Sequence, residues 1–248
     1  MTTNPSSIRH LRPSSADGDE IFANHRQLAE RDARMKRFGY DFAAGVQFVL
    51  AHALPLPGSV LEIGTGKGRF MVAMAPHVKK MTTVDISAEE QRCARLNACY
   101  AGVKTKIKYV IQDAACLPWP DRTFDVEVTM NAMHHIPHFF QVLEELQRVV
   151  KPGGKLVLAD FSPRGFQIMA RFHRSESKIH EHHRYDFRDL QKLLRDRGWP
   201  AQLQKGKLQE VLVAWRLANL ALPCTPGMPV ASLAKGLPPL PATTTIKP

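Results

Sequence analysis

A glycine-rich turn between a strand and a helix constrains the fold of this chain more than any other feature. The segment 60–70 reads VLEIGTGKGRF, in which an apolar run ends and an amphipathic run begins around Gly64, Gly66 and Gly68. Glycine permits the positive φ angles of a tight turn, and its missing Cβ lets a ligand approach bare backbone N–H groups. Open α/β sheets bind their ligands at the carboxyl ends of the strands, so we expect a ligand site at this turn.

Short apolar runs alternate with amphipathic stretches from residue 58 to residue 217. This alternation predicts an α/β fold with a Rossmann-like, seven-stranded, mostly parallel sheet and helices on both faces. The predicted strands are 59–64, 81–87, 106–113, 124–131, 154–161, 201–206 and 208–217, and the predicted helices are 20–37, 41–54, 67–78, 87–101, 138–150 and 186–197. The last two strands are too close in sequence for a helical crossover, so we expect a C-terminal antiparallel hairpin.

The segments on either side of this alternating region differ from it in composition and pattern. Residues 1–19 are polar with Pro and Ser, and we expect them to form a disordered tail. Residues 20–54 are interpreted as N-terminal helices that act as a lid or cap, and residues 55–217 as the α/β domain. Seven of the 18 prolines fall in 221–248, so we expect 218–248 to be a flexible proline-rich tail.

Composition excludes several classes of protein. The chain is 44% hydrophobic and 23% charged, as in globular domains. No run approaches the roughly 18 apolar residues of a membrane span, and the N-terminus lacks the apolar stretch of a secretory signal. The four cysteines (Cys93, Cys99, Cys116 and Cys224) form no C-x-x-C pair and fit reduced thiols. We therefore expect a cytoplasmic protein.

The formal net charge of +11 is unevenly distributed. Residues 161–217 carry 12 basic and 6 acidic side chains, more than half of the excess. Such a surface attracts anions, including a carboxylated or phosphorylated small molecule, a lipid surface or nucleic acid. No appended RNA-binding module is visible, and aromatic residues are not interleaved with the basic ones, so nucleic acid is the less favoured partner.

An acidic residue at the end of the second predicted strand narrows the choice of ligand. Asp85 lies 21 residues after Gly64, where a carboxylate can accept both hydroxyls of a ribose. Dinucleotide-binding loops follow the pattern G-x-G-x-x-G, because the pyrophosphate sits on the helix N-terminus. Arg69 occupies the position of that third glycine. The pattern therefore favours an adenosine-containing cofactor other than NAD and disfavours a nicotinamide oxidoreductase.

Several segments together resemble a known family. In order, they read LEIGTGKG, TVDIS, VIQDAACLPWPDRTFDVEVTMNAMHHI and LQRVVKPGGKLVLAD. Over 55–217 the chain resembles the class I S-adenosylmethionine-dependent methyltransferases, particularly the group that includes quinone-biosynthesis methyltransferases. The resemblance implies that S-adenosylmethionine is the cofactor and that a small, anionic or aromatic molecule accepts the methyl group.

The resemblance also implies roles for individual residues. Glu62 would lie near the amino group of the cofactor, Asp85 would hold the ribose, and Ile86 would pack on the adenine. The full set of implied cofactor-binding residues is Glu62, Gly64, Thr65, Gly66, Gly68, Asp85, Ile86, Asp113, Ala114, Asn131 and Met133. Arg37, Tyr40 and Phe42 would form part of a lid.

Methyl transfer from a sulfonium requires alignment and exclusion of water, and a base only where the acceptor must lose a proton. His135, and after it His134, are candidates for that base, and Asp160 closes the fifth strand towards the same cleft. The connection after this strand commonly forms the acceptor pocket in the family. The residues expected to face the acceptor are Tyr40, His173, His183, Arg184 and Tyr185.

Other interpretations remain open at this stage. The segment 180–186, HEHHRYD, contains metal-binding residue types, but its spacing and basic surroundings disfavour a metal site, and we expect none. Glu127 departs from the family pattern, because it lies in a strand that should be buried, so either it has a partner there or the strand is partly exposed. RNA or protein could be the methyl acceptor, and a non-catalytic protein that binds S-adenosylmethionine is a further alternative.

Overall fold

The computed structural model describes residues 16–176, 183 and 185–218. Seven strands and seven α-helices alternate along these residues. The helices are α1 (Ala16–Arg37), α2 (Phe42–Ala53), α3 (Arg69–Met74), α4 (Ala88–Tyr100), α5 (Phe139–Val149), α6 (Pro163–Ser175) and α7 (Phe187–Asp196). The strands are β1 (Val60–Ile63), β2 (Met81–Asp85), β3 (Ile107–Ile111), β4 (Phe124–Met130), β5 (Val150–Phe161), β6 (Ala201–Lys205) and β7 (Gln209–Trp215).

All seven strands form one sheet in the order β3-β2-β1-β4-β5-β7-β6. Strands β1 to β5 run parallel to one another, whereas β7 is antiparallel to both β5 and β6. The predicted Rossmann-like architecture with a C-terminal antiparallel hairpin is confirmed. This topology brings the carboxyl ends of β1, β2, β4 and β5 to one edge of the sheet.

Helices cover both faces of the sheet and create two apolar layers. One layer joins the inward side chains of α5 and α7 to the sheet, for example Leu146 and Leu194. The other joins α2, α3 and α4, for example Val49, Met71 and Ala94. The strands between the layers are therefore near-continuous apolar runs, as expected when both faces are buried.

Local signals in the sequence explain most helix boundaries. Ser87 caps α4 as predicted, because its Oγ accepts the Glu90 N–H at 3.2 Å. The predicted helix 67–78 is shorter than expected and passes into a 3₁₀ turn at Ala75–His77, where Pro76 cannot continue the α-helical hydrogen bonding. Helix α6 was not predicted. Its signal was Ser162-Pro163, in which Ser162 Oγ caps the Gly165 N–H at 3.1 Å and proline occupies the first turn.

The N-terminal helix begins earlier than the expected boundary of disorder. Helix α1 starts at Ala16, so residues 16–19 of the segment expected to be disordered are helical, while residues 1–15 lie outside the described part. Contacts with α4 account for this order. Glu20 pairs with Arg92, and the Asn24 amide donates to the Cys93 carbonyl at 3.4 Å. The proline-rich segment from residue 219 onward also lies outside the described residues.

Glu127 is buried in the central strand β4 without compensation. Its side chain is 1% exposed, and neither carboxyl oxygen has a hydrogen-bond partner among the described residues. The sequence predicted either a partner or partial exposure, and the structure has neither. Burial, and secondarily the negative charge of Glu145, raise the pKa of Glu127 well above its ordinary value. The carboxyl is therefore held in its neutral form.

In the part of the chain that the structure describes, no helix is both long and apolar enough to cross a membrane.

Candidate active site

The glycine turn lies at the edge where the parallel strands end. Gly64 has a φ of +81°, and a Cβ at this position would lie 2.3 Å from the Ala132 Cβ, so no other residue fits. Gly66 has a φ of +47°, and nothing lies within 4 Å of the position of its absent Cβ. The turn is therefore pressed against the end of β4 on one side and leaves open space above Gly66 on the other.

The backbone N–H groups of this turn are not bare, which corrects the expectation from the sequence. Gly64 and Thr65 donate to the Val84 carbonyl at 2.8 and 3.1 Å, and Gly68 donates to the Thr65 carbonyl at 2.8 Å. Gly66 donates to Asp85 Oδ2 at 2.8 Å. The cause is the parallel pairing of β1 with β2, which places these acceptors directly beside the turn. These four N–H groups are therefore already paired within the protein.

Asp85 stands at the end of β2, beside the open space. Its Oδ2 accepts the Gly66 N–H, and its Oδ1 accepts the Ser87 N–H at 2.9 Å. An ionised carboxylate has about four lone-pair directions, so each oxygen can still accept a hydroxyl. The two backbone bonds fix the orientation of the carboxylate in advance. This arrangement fits the ribose of an adenosine-containing cofactor.

Glu62 lies beneath the turn rather than in the open space. It is fully buried, and its Oε2 accepts the Thr83 hydroxyl at 2.5 Å. The Thr83 hydroxyl in turn lies 2.6 Å from that of Thr65. Burial raises the pKa of Glu62 to about 8, against the opposing effect of the Thr83 hydrogen bond. Glu62 and Thr65 therefore form a buried polar chain that supports the turn from below.

The remaining implied cofactor residues differ in their exposure. Ile86 is 73% exposed although it is apolar, so it offers an uncovered surface next to Asp85. Asp113 is exposed, and its Oδ1 accepts the Ala115 N–H at 2.8 Å, which fixes the loop that also carries Ala114. Ile86 and Asp113 are therefore accessible to a ligand. Met133, in contrast, is completely buried in the core below the site.

A cavity of about 160 Å³ lies beside the ends of β4 and β5 and beneath α1. Its walls combine apolar and aromatic side chains with histidines, an amide and two guanidinium groups. The lining residues are Arg31, Met35, Tyr40, Phe42, Arg69, Asn131, His134, His135, Phe161, Met169 and His173. The predicted lid residues Tyr40 and Phe42 thus belong to the cavity wall, whereas Arg37 is exposed and is not part of it.

His134 and Asp160 form a buried pair in this cavity wall. His134 Nδ1 lies 2.7 Å from Asp160 Oδ1 and 3.0 Å from Oδ2, and the His134 backbone N–H donates to Oδ2 at 3.1 Å. The Phe161 N–H also donates to Asp160 Oδ1, at 2.8 Å. Asp160 therefore binds both the imidazole and the backbone N–H of His134, and the Phe161 N–H helps to fix the carboxylate.

The other histidines and Tyr185 are placed differently. His135 is exposed and lines the cavity, as does the buried His173. His183 donates its backbone N–H to the His134 carbonyl at 3.0 Å, and Tyr185 donates its hydroxyl to the Ile136 carbonyl at 2.6 Å. Neither His183 nor Tyr185 lines the cavity, and both instead clamp the loop after β4.

Arg184, and His180 and His182 of the segment considered for metal binding, lie outside the described residues. Across residues 16–176, 183 and 185–218, no group of three or more His, Cys, Asp or Glu side chains is arranged to hold a metal ion.

Ion pairs hold α1 over the cavity. Arg69, the first residue of α3, pairs with Asp32 of α1, and its guanidinium stacks on the Phe42 ring at 3.8 Å. Arg31 of α1 pairs with Glu176 at the end of α6 at 2.6 Å. The N-terminal helix is thus attached to both sides of the site, which closes the cavity as a lid does.

A residue that the sequence analysis missed joins this lid to the sheet. Gln209, the first residue of β7, donates its amide to the Tyr40 hydroxyl at 2.6 Å and to Asn131 Oδ1 at 3.0 Å. Its partners are 169 and 78 residues away in sequence, so no local pattern could have indicated it. Only the antiparallel pairing of Gln209 with Phe161 brings it to the site.

Comparisons with known proteins agree with this geometry. Residues 61–158 match the methyltransferase domain family. The chain is 36% identical over 137 residues to 27-O-demethylrifamycin SV methyltransferase of Amycolatopsis mediterranei, covering 52% of this chain and 50% of that protein. It is 34% identical over 119 residues to a ubiquinone/menaquinone biosynthesis C-methyltransferase of Hydrogenovibrio crunogenus, covering 45% and 47% of the two chains. The chain therefore spans about half the length of the curated relatives it matches.

Solved structures share the fold. A SAM-dependent methyltransferase from Aquifex aeolicus superposes with a TM-score of 0.54 and 21% identity, covering 69% of this chain and 89% of that one.

The sheet order, the glycine turn and Asp85 together define a Rossmann-like protein of the kind that uses an adenosine-containing cofactor. Within that class, residues 61–158 match the methyltransferase domain family, and the relatives named above, to which the chain is similar, are methyltransferases.

Proposed function

We propose that this protein transfers a methyl group from S-adenosylmethionine to a small molecule with an aromatic or planar apolar body and an ionisable group. The observation that carries the proposal is the cavity next to the glycine turn, with the His134–Asp160 pair in its wall. The cavity has a volume of about 160 Å³ and is lined by side chains of α1 and α6 and by residues at the ends of β4 and β5.

The walls of the cavity support an aromatic acceptor. Phe42, Phe161 and Met169 provide flat or adaptable apolar surface, and Tyr40 stands edge-on to Phe161 with ring centroids 5.2 Å apart. Two of the relatives named above, a 27-O-demethylrifamycin SV methyltransferase and a ubiquinone/menaquinone biosynthesis C-methyltransferase, support a small-molecule acceptor.

His134 is the proposed base, with Asp160 as its positioning residue. When bound, S-adenosylmethionine would supply the methyl carbon that the acceptor attacks in line, and S-adenosylhomocysteine would be the leaving group. His134 would take the proton of the acceptor as its oxygen, nitrogen or carbon attacks, and Asp160 would hold Nδ1 so that the ring presents its other nitrogen. This reverses the order favoured by the sequence, which placed His135 first, because His134 is the histidine that the buried Asp160 carboxylate holds at Nδ1.

Part of the basic region 161–217 is paired within the protein. Lys192 pairs with Asp196, Arg197 with Glu144 and Lys205 with Glu210. Charges that are neutralised internally contribute little to phosphate binding. This weakens the case for RNA as the acceptor.

The test is transfer of a labelled methyl group to a panel of phenols, hydroxybenzoates and small quinols. For any acceptor found, we expect Asp160→Asn and His134→Gln to lower turnover by about 10²- to 10⁴-fold. The affinity for S-adenosylhomocysteine should stay within about two-fold of wild type, which also reports on folding. His77→Gln, an exposed histidine at the opposite edge of the sheet, is the matched control. Wild-type turnover in the Asp160→Asn and His134→Gln variants would contradict the assignment of the base.

A further inference from the structure

Tyr40, Asn131 and Gln209 form a polar network on the glycine-turn side of the cavity, in which Gln209 Oε1 is buried and has no hydrogen-bond partner among the described residues. Tyr40 and Gln209 are almost completely buried, and Asn131 is half-buried. Gln209 Nε2 lies 2.6 Å from the Tyr40 hydroxyl oxygen, and Asn131 Nδ2 lies 3.3 Å from it. Gln209 Nε2 also donates to Asn131 Oδ1 at 3.0 Å. The network therefore joins the lid segment, the end of β4 and the start of β7.

The hydrogen-bonding capacity of the Tyr40 hydroxyl is only partly used within the network. A phenol has one O–H donor and can accept up to two hydrogen bonds. Both acceptor positions are taken by the amide N–H groups of Gln209 and Asn131. The hydroxyl proton is the remaining capacity, and Tyr40 lines the cavity. Tyr40 is thus arranged as a hydrogen-bond donor towards whatever the site binds.

Asn131, a member of this network, has an uncommon backbone conformation. Asn131 has a φ of +54°, a left-handed conformation that non-glycine residues seldom adopt and that is concentrated at functional sites. The next residue, Ala132, is the one whose Cβ meets the Cβ position of Gly64. The network is therefore next to the glycine turn, on the side away from Asp85, where the amino-acid end of the cofactor would extend.

We infer that Gln209 is a positioning residue that, with Asn131, turns the Tyr40 hydroxyl proton towards the carboxylate of the methionine part of S-adenosylmethionine. The inference rests on the proposed use of this cofactor. An ionised carboxylate accepts strong hydrogen bonds, and no residue in the sequence motifs was assigned to it. Gln209 acts through Tyr40 and does not itself line the cavity.

The protonation of Tyr40 is consistent with a donor. Burial raises the pKa of Tyr40 to about 12, against the opposing effect of its two amide hydrogen bonds. The phenol therefore keeps its proton throughout the physiological pH range. Gly45 of α2 leaves room for the Tyr40 hydroxyl, because a Cβ there would lie only 3.1 Å from the hydroxyl oxygen.

Calorimetric titration with S-adenosylhomocysteine and with 5′-methylthioadenosine tests the inference. The second compound keeps the adenosine and sulfur but lacks the amino-acid part. We expect Tyr40→Phe and Gln209→Leu each to weaken S-adenosylhomocysteine binding by about ten-fold or more and the double variant to be no worse, because one hydrogen bond is lost in all three. Binding of 5′-methylthioadenosine should be unchanged. Gln204→Leu, an exposed glutamine of the same hairpin, is the matched control.

Gln209→Glu provides a test that does not depend on removing the side chain. Its carboxylate has nearly the same shape but only accepts hydrogen bonds, so it would take the Tyr40 proton away from the cavity. We expect a folded protein, as judged by its thermal transition, with the same loss of S-adenosylhomocysteine affinity as Gln209→Leu. Wild-type affinity in Gln209→Glu would overturn the inference, because it would mean that Gln209 normally accepts the Tyr40 proton.

Two further outcomes would also overturn the inference. They are additive losses in the double variant, and equal weakening of 5′-methylthioadenosine binding. A wild-type protein that binds neither compound would instead contradict the proposed function, so the two failures are distinguishable.

Discussion

Replacing Glu127 should make the protein more stable at neutral pH, by an amount that depends on pH. The carboxyl is buried in β4, and its pKa is raised well above 4.5, mainly by burial. Above pH 4.5 the unfolded chain releases this proton while the folded protein retains it. The unfolded state then binds fewer protons, so the free energy of unfolding falls as the pH rises.

The magnitude follows from the linkage relation. The linkage relation limits the loss to about 1.4 kcal/mol for each pH unit over which the folded protein holds this proton and the unfolded chain does not. Glu127→Gln keeps the shape and does not titrate. Its free energy of unfolding, relative to wild type, should therefore rise as the pH increases from 5 to 7. Glu127→Leu should show the same pH dependence with a further gain, because it also removes an unpartnered polar group.

Urea unfolding at pH 5, 6 and 7 measures this difference directly, since groups that titrate equally in both proteins cancel. Glu144→Gln, which changes an exposed carboxyl on α5, is the matched control and should show a flat difference. A difference between Glu127→Gln and wild type that is independent of pH would refute the reasoning. It would mean that Glu127 has found a partner or water and is ionised in the folded protein.

Other predictions concern the cofactor site. Asp85→Ala should weaken S-adenosylmethionine binding by about 1.5–3 kcal/mol in calorimetry, because charge-assisted hydrogen bonds are lost, and near-wild-type affinity would show that the ribose assignment is wrong. Gly64→Ala should lower the thermal transition strongly, since its Cβ would lie 2.3 Å from the Ala132 Cβ. Gly66→Ala meets no atom within 4 Å, so it should fold but bind S-adenosylhomocysteine less well, and equal stability losses in the two glycine variants would contradict this distinction.

Local patterns in the sequence predict the elements of the sheet well, because the determinants of each element are close together in the chain. The apolar run 60–63 and the glycines after it define β1 and its turn, and Ser87 marks the start of α4. Loop length alone indicates the antiparallel β6–β7 hairpin. Helix α6 was missed although its capping signal was present and its buried residues Gly165, Met169 and Phe172 have helical spacing.

The candidate site is less predictable, since it depends on contacts between distant segments. Asp85 could be placed from its position at the end of a strand. The complete burial of Glu62 and Met133 could not be predicted, because it depends on how the strands and turns pack beneath the site. Tyr185 was expected to face the acceptor, yet its hydroxyl binds the Ile136 carbonyl, a tertiary contact with no sequence signature. Gln209 is the clearest case, since strand pairing alone brings it to Tyr40.

The central claim is that the glycine turn and Asp85 bind S-adenosylmethionine. Parallel calorimetric titrations of the wild-type protein with S-adenosylmethionine, S-adenosylhomocysteine and NAD test it most directly. We predict micromolar binding of the first two and none of NAD, because Arg69 stands where the dinucleotide-binding pattern has its third glycine. Binding of NAD, or of none of the three compounds, would contradict the account.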